Sequence, residues 1–105
     1  MNIFIGLCSS RFDSEFKKSI SGIRKIKIPK NFKVIIVLID NNLSKKKKEY
    51  LSKIKISRTT KIIYRIEKRK GIVYARNNFL KFIYNSKKKI DYLGFIDDDC
   101  VTKKN

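Results

Sequence analysis

A chain of 105 residues makes at most one small domain, and a hydrophobic fraction of 42% is enough to pack a core, which excludes a disordered tail. The formal net charge is +18, from 27 basic residues against 9 acidic ones. No apolar run approaches the roughly 20 residues that span a bilayer, and "MNIFIGLCSS" lacks the basic flank of a secretory signal.

The first element, "NIFIGLC" (2–8), is a nearly continuous apolar run, the composition of a parallel strand covered on both faces. Phe16, Ile20 and Ile23 then recur at spacings of 4 and 3, with Asp13 or Ser14 as cap and Pro29 as stop, which predicts a helix. "KVIIVLI" (33–39) reads as the second strand. Ser44 is placed to cap a short basic helix that carries Tyr50, Leu51 and Ile54 inward. "KIIYRI" (61–66) is the third strand. Ile72, Ala75, Phe79 and Ile83 repeat at 3, 4 and 4 and predict a helix over 72–84. "YLGFI" (92–96) is the fourth strand. This β-α-β-α-β-α-β order, without linker or repeat, predicts a single α/β domain over residues 1–105. Its architecture is a Rossmann-like three-layer sandwich around a mainly parallel sheet.

Of the basic residues, 21 are Lys and 6 are Arg, and Lys, Ile and Asn together fill 47 of the 105 positions. That is the bias an AT-rich genome imposes on tolerant surface sites. The runs "KKKK" (45–48) and "KKK" (87–89) therefore read as solvated faces, which attract polyanions and anionic lipid in a salt-dependent way. A nucleic-acid module would interleave Arg and aromatic residues on one face. Here Lys dominates and the aromatics fall at core periods, so no specific nucleic-acid partner is expected. Cys8 and Cys100 make neither a disulfide framework nor a zinc pattern.

Polar residues gather just after three of the strands: "SSR" (9–11), "DNN" (40–42) and "DDD" (97–99). Right-handed crossovers in a parallel sheet put all three on the carboxyl edge, where such folds bind ligands. The chain has neither G-x-G-x-x-G nor a Walker A loop, since its only glycines are Gly6, Gly22, Gly71 and Gly94, and it has no His. Carboxylate and cation chemistry remains. On an extended strand Asp97 and Asp99 share a face, roughly 6–7 Å apart, with Asp98 on the other. Two like charges at that separation repel by about 2–3 kcal/mol at an effective dielectric near 20. A divalent cation removes the repulsion and joins carboxylate to phosphate oxygen, and Mn²⁺ or Mg²⁺ suits such oxygen donors. Asp97 and Asp99 are thus the metal candidates. Ser9, Arg11, Asp40 and Arg76 are further candidates, each of which also has an ordinary reading as a turn or surface residue.

Four segments in order resemble the nucleotide-binding half of inverting family 2 glycosyltransferases, which have the GT-A fold. They are "IGLCSSRF" (5–12), "VIIVLIDNN" (34–42), "KGIVYARNNFL" (70–80) and "YLGFIDDDC" (92–100). They are similar to the family's I-G-I-C-T-Y-K-R, V-V-V-V-D-N, G-I-x-x-A-R-N and F-I-D-D-D-E stretches. The resemblance implies a parallel strand order of 3-2-1-4, with Cys8 and Asp97 on neighbouring strands. It implies that Ser9 meets the nucleotide with Arg11 close by, and that Asp40 accepts a hydrogen bond from the base of a nucleotide such as UDP. Arg76 would reach the nucleotide from its helix, Asp97 and Asp98 would contact the ribose and its surroundings, and Asp99 would ligate the metal. Cys100 stands where the family often has an acid, and Phe12 where a base is common.

Such enzymes run to more than twice this length. The resemblance therefore makes the chain a truncated GT-A domain, whose acceptor site and catalytic base would lie in a missing C-terminal part. The base in such inverting transfer deprotonates the acceptor hydroxyl. The expected partners are a nucleotide-sugar donor, with UDP-sugar first, and an acceptor glycan or lipid. The expected location is cytoplasmic, with room for peripheral association at the inner face of the membrane. The competing readings are a basic nucleic-acid-binding module and a different D-x-D metal-dependent phosphoryl-transfer domain. The second leaves "ARN" (75–77) without a role.

Overall fold

The structure, a computed structural model, describes residues 1–10, 12–25, 27–42, 45–54, 60–87 and 89–97, without the side chains of Arg24 and Asp97. Four strands, β1 (Asn2–Ser9), β2 (Lys33–Asp40), β3 (Thr60–Ile66) and β4 (Tyr92–Asp97), alternate with three helices, α1 (Ser14–Arg24), α2 (Lys45–Ser52) and α3 (Ile72–Tyr84). All strand pairs are parallel and the order across the sheet is β3-β2-β1-β4, as expected. Each strand extends the predicted run by at most one residue per end. Cys8 and Asp97 are direct partners on adjacent strands.

The central strand explains the layering. In β2 every residue from Val34 to Asp40 is buried, because both faces are covered. Val34, Ile36 and Leu38 point one way and pack with Leu7, with Phe16, Ile20 and Ile23 of α1, and with Leu51 of α2. Ile35, Val37 and Ile39 point the other way and pack with Phe4 and with Ala75 and Phe79 of α3. The result is the expected three layers, with α1 and α2 on one face and α3 on the other.

Local chemistry sets the helix ends. Asp13 caps α1 by accepting the N–H of Phe16 at 3.0 Å. The proposed cap at Ser44 lies outside the described residues. Tyr50 and Ile54 pack inward with Leu51, as their spacing predicts. On α3, Ala75 and Phe79 are buried, but Ile72 is exposed, as are Tyr74, Tyr84, Tyr92 and Phe95. The expectation that the aromatics serve the core is therefore only partly met. Phe12, Phe16 and Tyr50 do meet it, stacking edge-on or tilted between α1 and α2.

Helix α3 sits close to the sheet because Gly6 has no side chain. A Cβ there would stand 2.9 Å from the Phe79 ring, whose other neighbour is Phe95 at 5.2 Å between centroids. Gly6→Ala is expected to push Phe79 off the sheet and to cost about 1–3 kcal/mol, read as a lower urea midpoint at unchanged slope. An unchanged midpoint would mean that the ring has space to move.

Candidate functional site

The chain leaves β1 at its carboxyl end and crosses first to β2 and β3 on one side, then to β4 on the other. That reversal makes the carboxyl edge around β1 the switch point of the sheet. A cleft of about 570 Å³ opens there, lined by residues 8–10, 41–42 and 70–72 with Ala75 and Arg76. The ends of β1 and β2 and the amino end of α3 thus meet at one rim.

The loop after β3 is tied to this rim by Asn41. Its backbone N–H donates to Ser9 O at 2.8 Å, and its side-chain amide donates to the carbonyls of Glu67 and Arg69 at 3.0 and 2.7 Å. Its Oδ1 accepts the Gly71 N–H at 2.9 Å. Gly71 adopts φ +132°, a conformation that side chains disfavour, and it begins α3 without a side-chain cap. The first N–H groups of α3 and the positive end of its dipole are therefore presented to the cleft. Arg69 holds the turn from behind: it donates to both carboxylate oxygens of Glu67, which keeps that carboxyl below the usual glutamate range.

Beneath the rim lies a buried ionic cluster that the sequence reading did not anticipate. Lys47 and Asp40 are both 0% exposed, and Lys47 Nζ donates to Asp40 Oδ1 at 3.0 Å and to Ser9 Oγ at 2.9 Å. The Asn42 N–H also donates to Oδ1, at 3.1 Å, and the Tyr64 hydroxyl donates to Oδ2. Burial first, then the hydrogen bond and charge of Asp40, push the Tyr64 hydroxyl well above its ordinary value, so it remains a protonated donor. Lys47 also lies 5.0 Å from the Phe16 ring centroid. The "KKKK" run is therefore not uniformly a solvated face. Lys45, Lys46 and Lys48 are exposed, while Lys47 turns inward. The signal was present: Lys47 is three, four and seven positions before Tyr50, Leu51 and Ile54, so it shares their inward stripe.

The predicted site residues divide accordingly. Ser9 is buried, borders the cleft and accepts from Lys47. Arg76 borders the same cleft, is exposed, and lies over the Phe95 ring at 5.5 Å. Asp97 ends β4 beside Cys8, which also lines the cleft. Asp40 is at the same edge but continues the phase of Val34, Ile36 and Leu38, so it faces the α2 side, with both oxygens engaged. A nucleotide base would reach it only after Lys47 or Tyr64 let go. Arg11, Asp98, Asp99 and Cys100 lie outside the described residues. Among the described residues no group of three or more His, Cys, Asp or Glu is placed to hold a metal ion. No helix among the described residues is long and apolar enough to cross a membrane. Compared with protein-family models, curated proteins and solved structures, the chain matches none.

Proposed function

We propose that this chain is the donor-binding part of an inverting, metal-dependent glycosyltransferase that takes a nucleotide-diphosphate sugar, UDP-sugar first, in the cytoplasm at the inner face of the membrane. The observation that carries the reading is the pairing of Cys8 with Asp97. It sets the carboxyl ends of β1 and β4 side by side, and Cys8 lines a cleft that also receives the amino end of α3. Its volume is within the roughly 300–1,000 Å³ of small-molecule sites. The four-segment resemblance to family 2 enzymes supports the same reading.

In this reading a diphosphate sits against the open end of α3, where N–H groups and Arg76 offset its charge. Ser9 supplies a hydroxyl set in place by Lys47. Asp40 acts from below, fixing Ser9 through Lys47 and the 40–42 turn through the Asn42 N–H. Asp97 and Asp98 border the ribose, and Asp97 with Asp99 would hold Mn²⁺ or Mg²⁺, which stabilises the charge that develops on the diphosphate leaving group. Several of the other carboxylates already have partners. Asp13 caps α1, Glu15 pairs with Lys18, Glu67 with Arg69, and Asp91 accepts from Asn2. None of these is placed as a base, and we assign no base among the described residues.

The test is binding rather than turnover. UDP with Mn²⁺, at about ten times its dissociation constant, should stabilise the chain by about 1.4 kcal/mol, seen as a rise in Tm of several degrees. EDTA should cancel the rise, and single-stranded DNA at about 0.2 M salt should not reproduce it. A rise that ignores EDTA and vanishes with salt would sink the reading in favour of a nonspecific polyanion surface.

A further inference from the structure

Helix α3 carries an apolar ridge that no described residue covers. Val73, Asn77, Leu80 and Tyr84 are spaced 4, 3 and 4 and stand in line along its outer side. Val73 is 65% exposed, Leu80 46% and Tyr84 89%, while Ala75 and Phe79 on the opposite side are buried against the sheet. Isolated exposed apolar residues are common, but three in one line are not. The flanks of the ridge are cationic. Arg76 lies on one side; on the other, Arg69 and Lys81 line a groove of about 430 Å³ with Tyr74 and Tyr84. The Arg69 guanidinium lies 4.6 Å from the Tyr74 ring centroid. The helix contains no carboxylate.

We propose that this ridge is a membrane-contact surface, on which α3 lies flat against a bilayer rich in anionic lipid. Val73 and Leu80 enter the acyl boundary, Tyr84 sits at headgroup level, and Lys81 faces the lipid phosphates, beside Arg69, which is paired with Glu67. At 13 residues α3 is about 20 Å long, short of the roughly 30 Å hydrocarbon layer, so it rests on the bilayer and does not cross it. Charge complementarity selects the occupant: a chain of net charge +18 is drawn to a negative surface. The aliphatic members of the ridge choose between the polyanions, because Val73 and Leu80 bury in lipid, whereas a nucleic acid would use only the Tyr74 and Tyr84 rings beside them. This inference does not depend on the nucleotide reading, since the ridge runs along the outside of α3 and the cleft opens at its end. It adds that docking would bring the cleft to the lipid surface.

The full chain tests it directly. The sequence has no Trp, so Tyr84→Trp places a single reporter on the ridge. Phosphatidylcholine vesicles containing about 30% phosphatidylglycerol, at about 0.1 M salt, should shift its emission to the blue, and phosphatidylcholine alone should not. Co-sedimentation then compares the wild type with a Val73→Gln/Leu80→Gln variant, which keeps every charge and alters only exposed side chains. Its partition should fall at least about tenfold, and that of Lys81→Gln about fivefold. Unchanged partition of the double variant, or no blue shift of the indole reporter, would mean that lysines elsewhere hold the bilayer and would overturn the proposal. Loss of oligothymidylate binding by that variant, with vesicle binding intact, would overturn it by making the ridge a nucleic-acid surface.

Discussion

Lys47→Met should cost about 3–5 kcal/mol, a large part of the roughly 5–15 kcal/mol that holds a domain of this size folded. Lys47 and Asp40 are each fully buried, and the ion pair between them is 3.0 Å long. Removing the ammonium leaves Asp40 with only the Tyr64 hydroxyl and the Asn42 N–H, in a place that water does not reach. An uncompensated buried charge is far more costly than a missing apolar contact. Urea unfolding measures the loss, and a second variant separates the cause from simple misfit. Lys47→Met combined with Asp40→Leu removes the orphaned carboxylate and should recover part of the stability. A loss below about 1 kcal/mol for Lys47→Met would show that the pair behaves as an exposed one. Any effect of these variants on nucleotide binding would pass through Ser9 and the 40–42 turn.

Asp99→Asn should lower UDP affinity in the presence of Mn²⁺ by more than the 10–100-fold typical of residues that merely support a metal ligand. A neutral amide oxygen is a poor substitute for a carboxylate on a hard cation. Without metal the same change relieves repulsion among three adjacent acids, so the Tm should stay level or rise slightly. Calorimetric titration of UDP with and without Mn²⁺ gives the first quantity, and a thermal melt in EDTA gives the second. Glu49→Gln, which neutralises an exposed acid on α2, controls for the change in net charge. If the metal-free Tm falls sharply, Asp99 is holding the fold and its role as a ligand fails. Unaltered UDP affinity would move the metal away from "DDD".

The strands were legible because apolar runs are local signals, whereas their order came from the family resemblance together with the polar strand ends. Asp13 shows the same for a helix start: a short acid three residues before a buried Phe has few other uses. Long-range side-chain pairing is what local patterns hide. Asp40 looked like a ligand contact because it ends a strand beside two Asn residues, yet its phase with Val34, Ile36 and Leu38 turns it to the helix side. Lys47 was masked by three identical neighbours, although Tyr50, Leu51 and Ile54 fix the inward face of α2. The Asn41 clasp could not be read at all, since its partners Glu67, Arg69 and Gly71 come from a loop about 30 positions away. Helix α3 was legible in extent, Ile72–Tyr84, but not wholly in its facing. It is apolar on nearly every side, so spacing marked Ile72 as inward when only Ala75 and Phe79 are buried. Periodicity can locate a face only where another face is polar.

The pairing of β1 with β4 has a consequence for how the chain is made. Asn2 and Asp91, 89 positions apart, are joined by hydrogen bonds in both directions, the Asn2 N–H to the Asp91 carboxylate and the Asp91 N–H to Asn2 O. On the ribosome β1 can find β2 as soon as residues 33–40 emerge, but its other edge has no partner until β4 is released. At roughly 5–20 residues per second that interval lasts several seconds, during which Ile3 and Ile5 lie along an open strand edge. A nascent chain stalled between β3 and β4 would offer that edge to its neighbours, so slow translation of the segment between these strands would favour association between incomplete chains over folding.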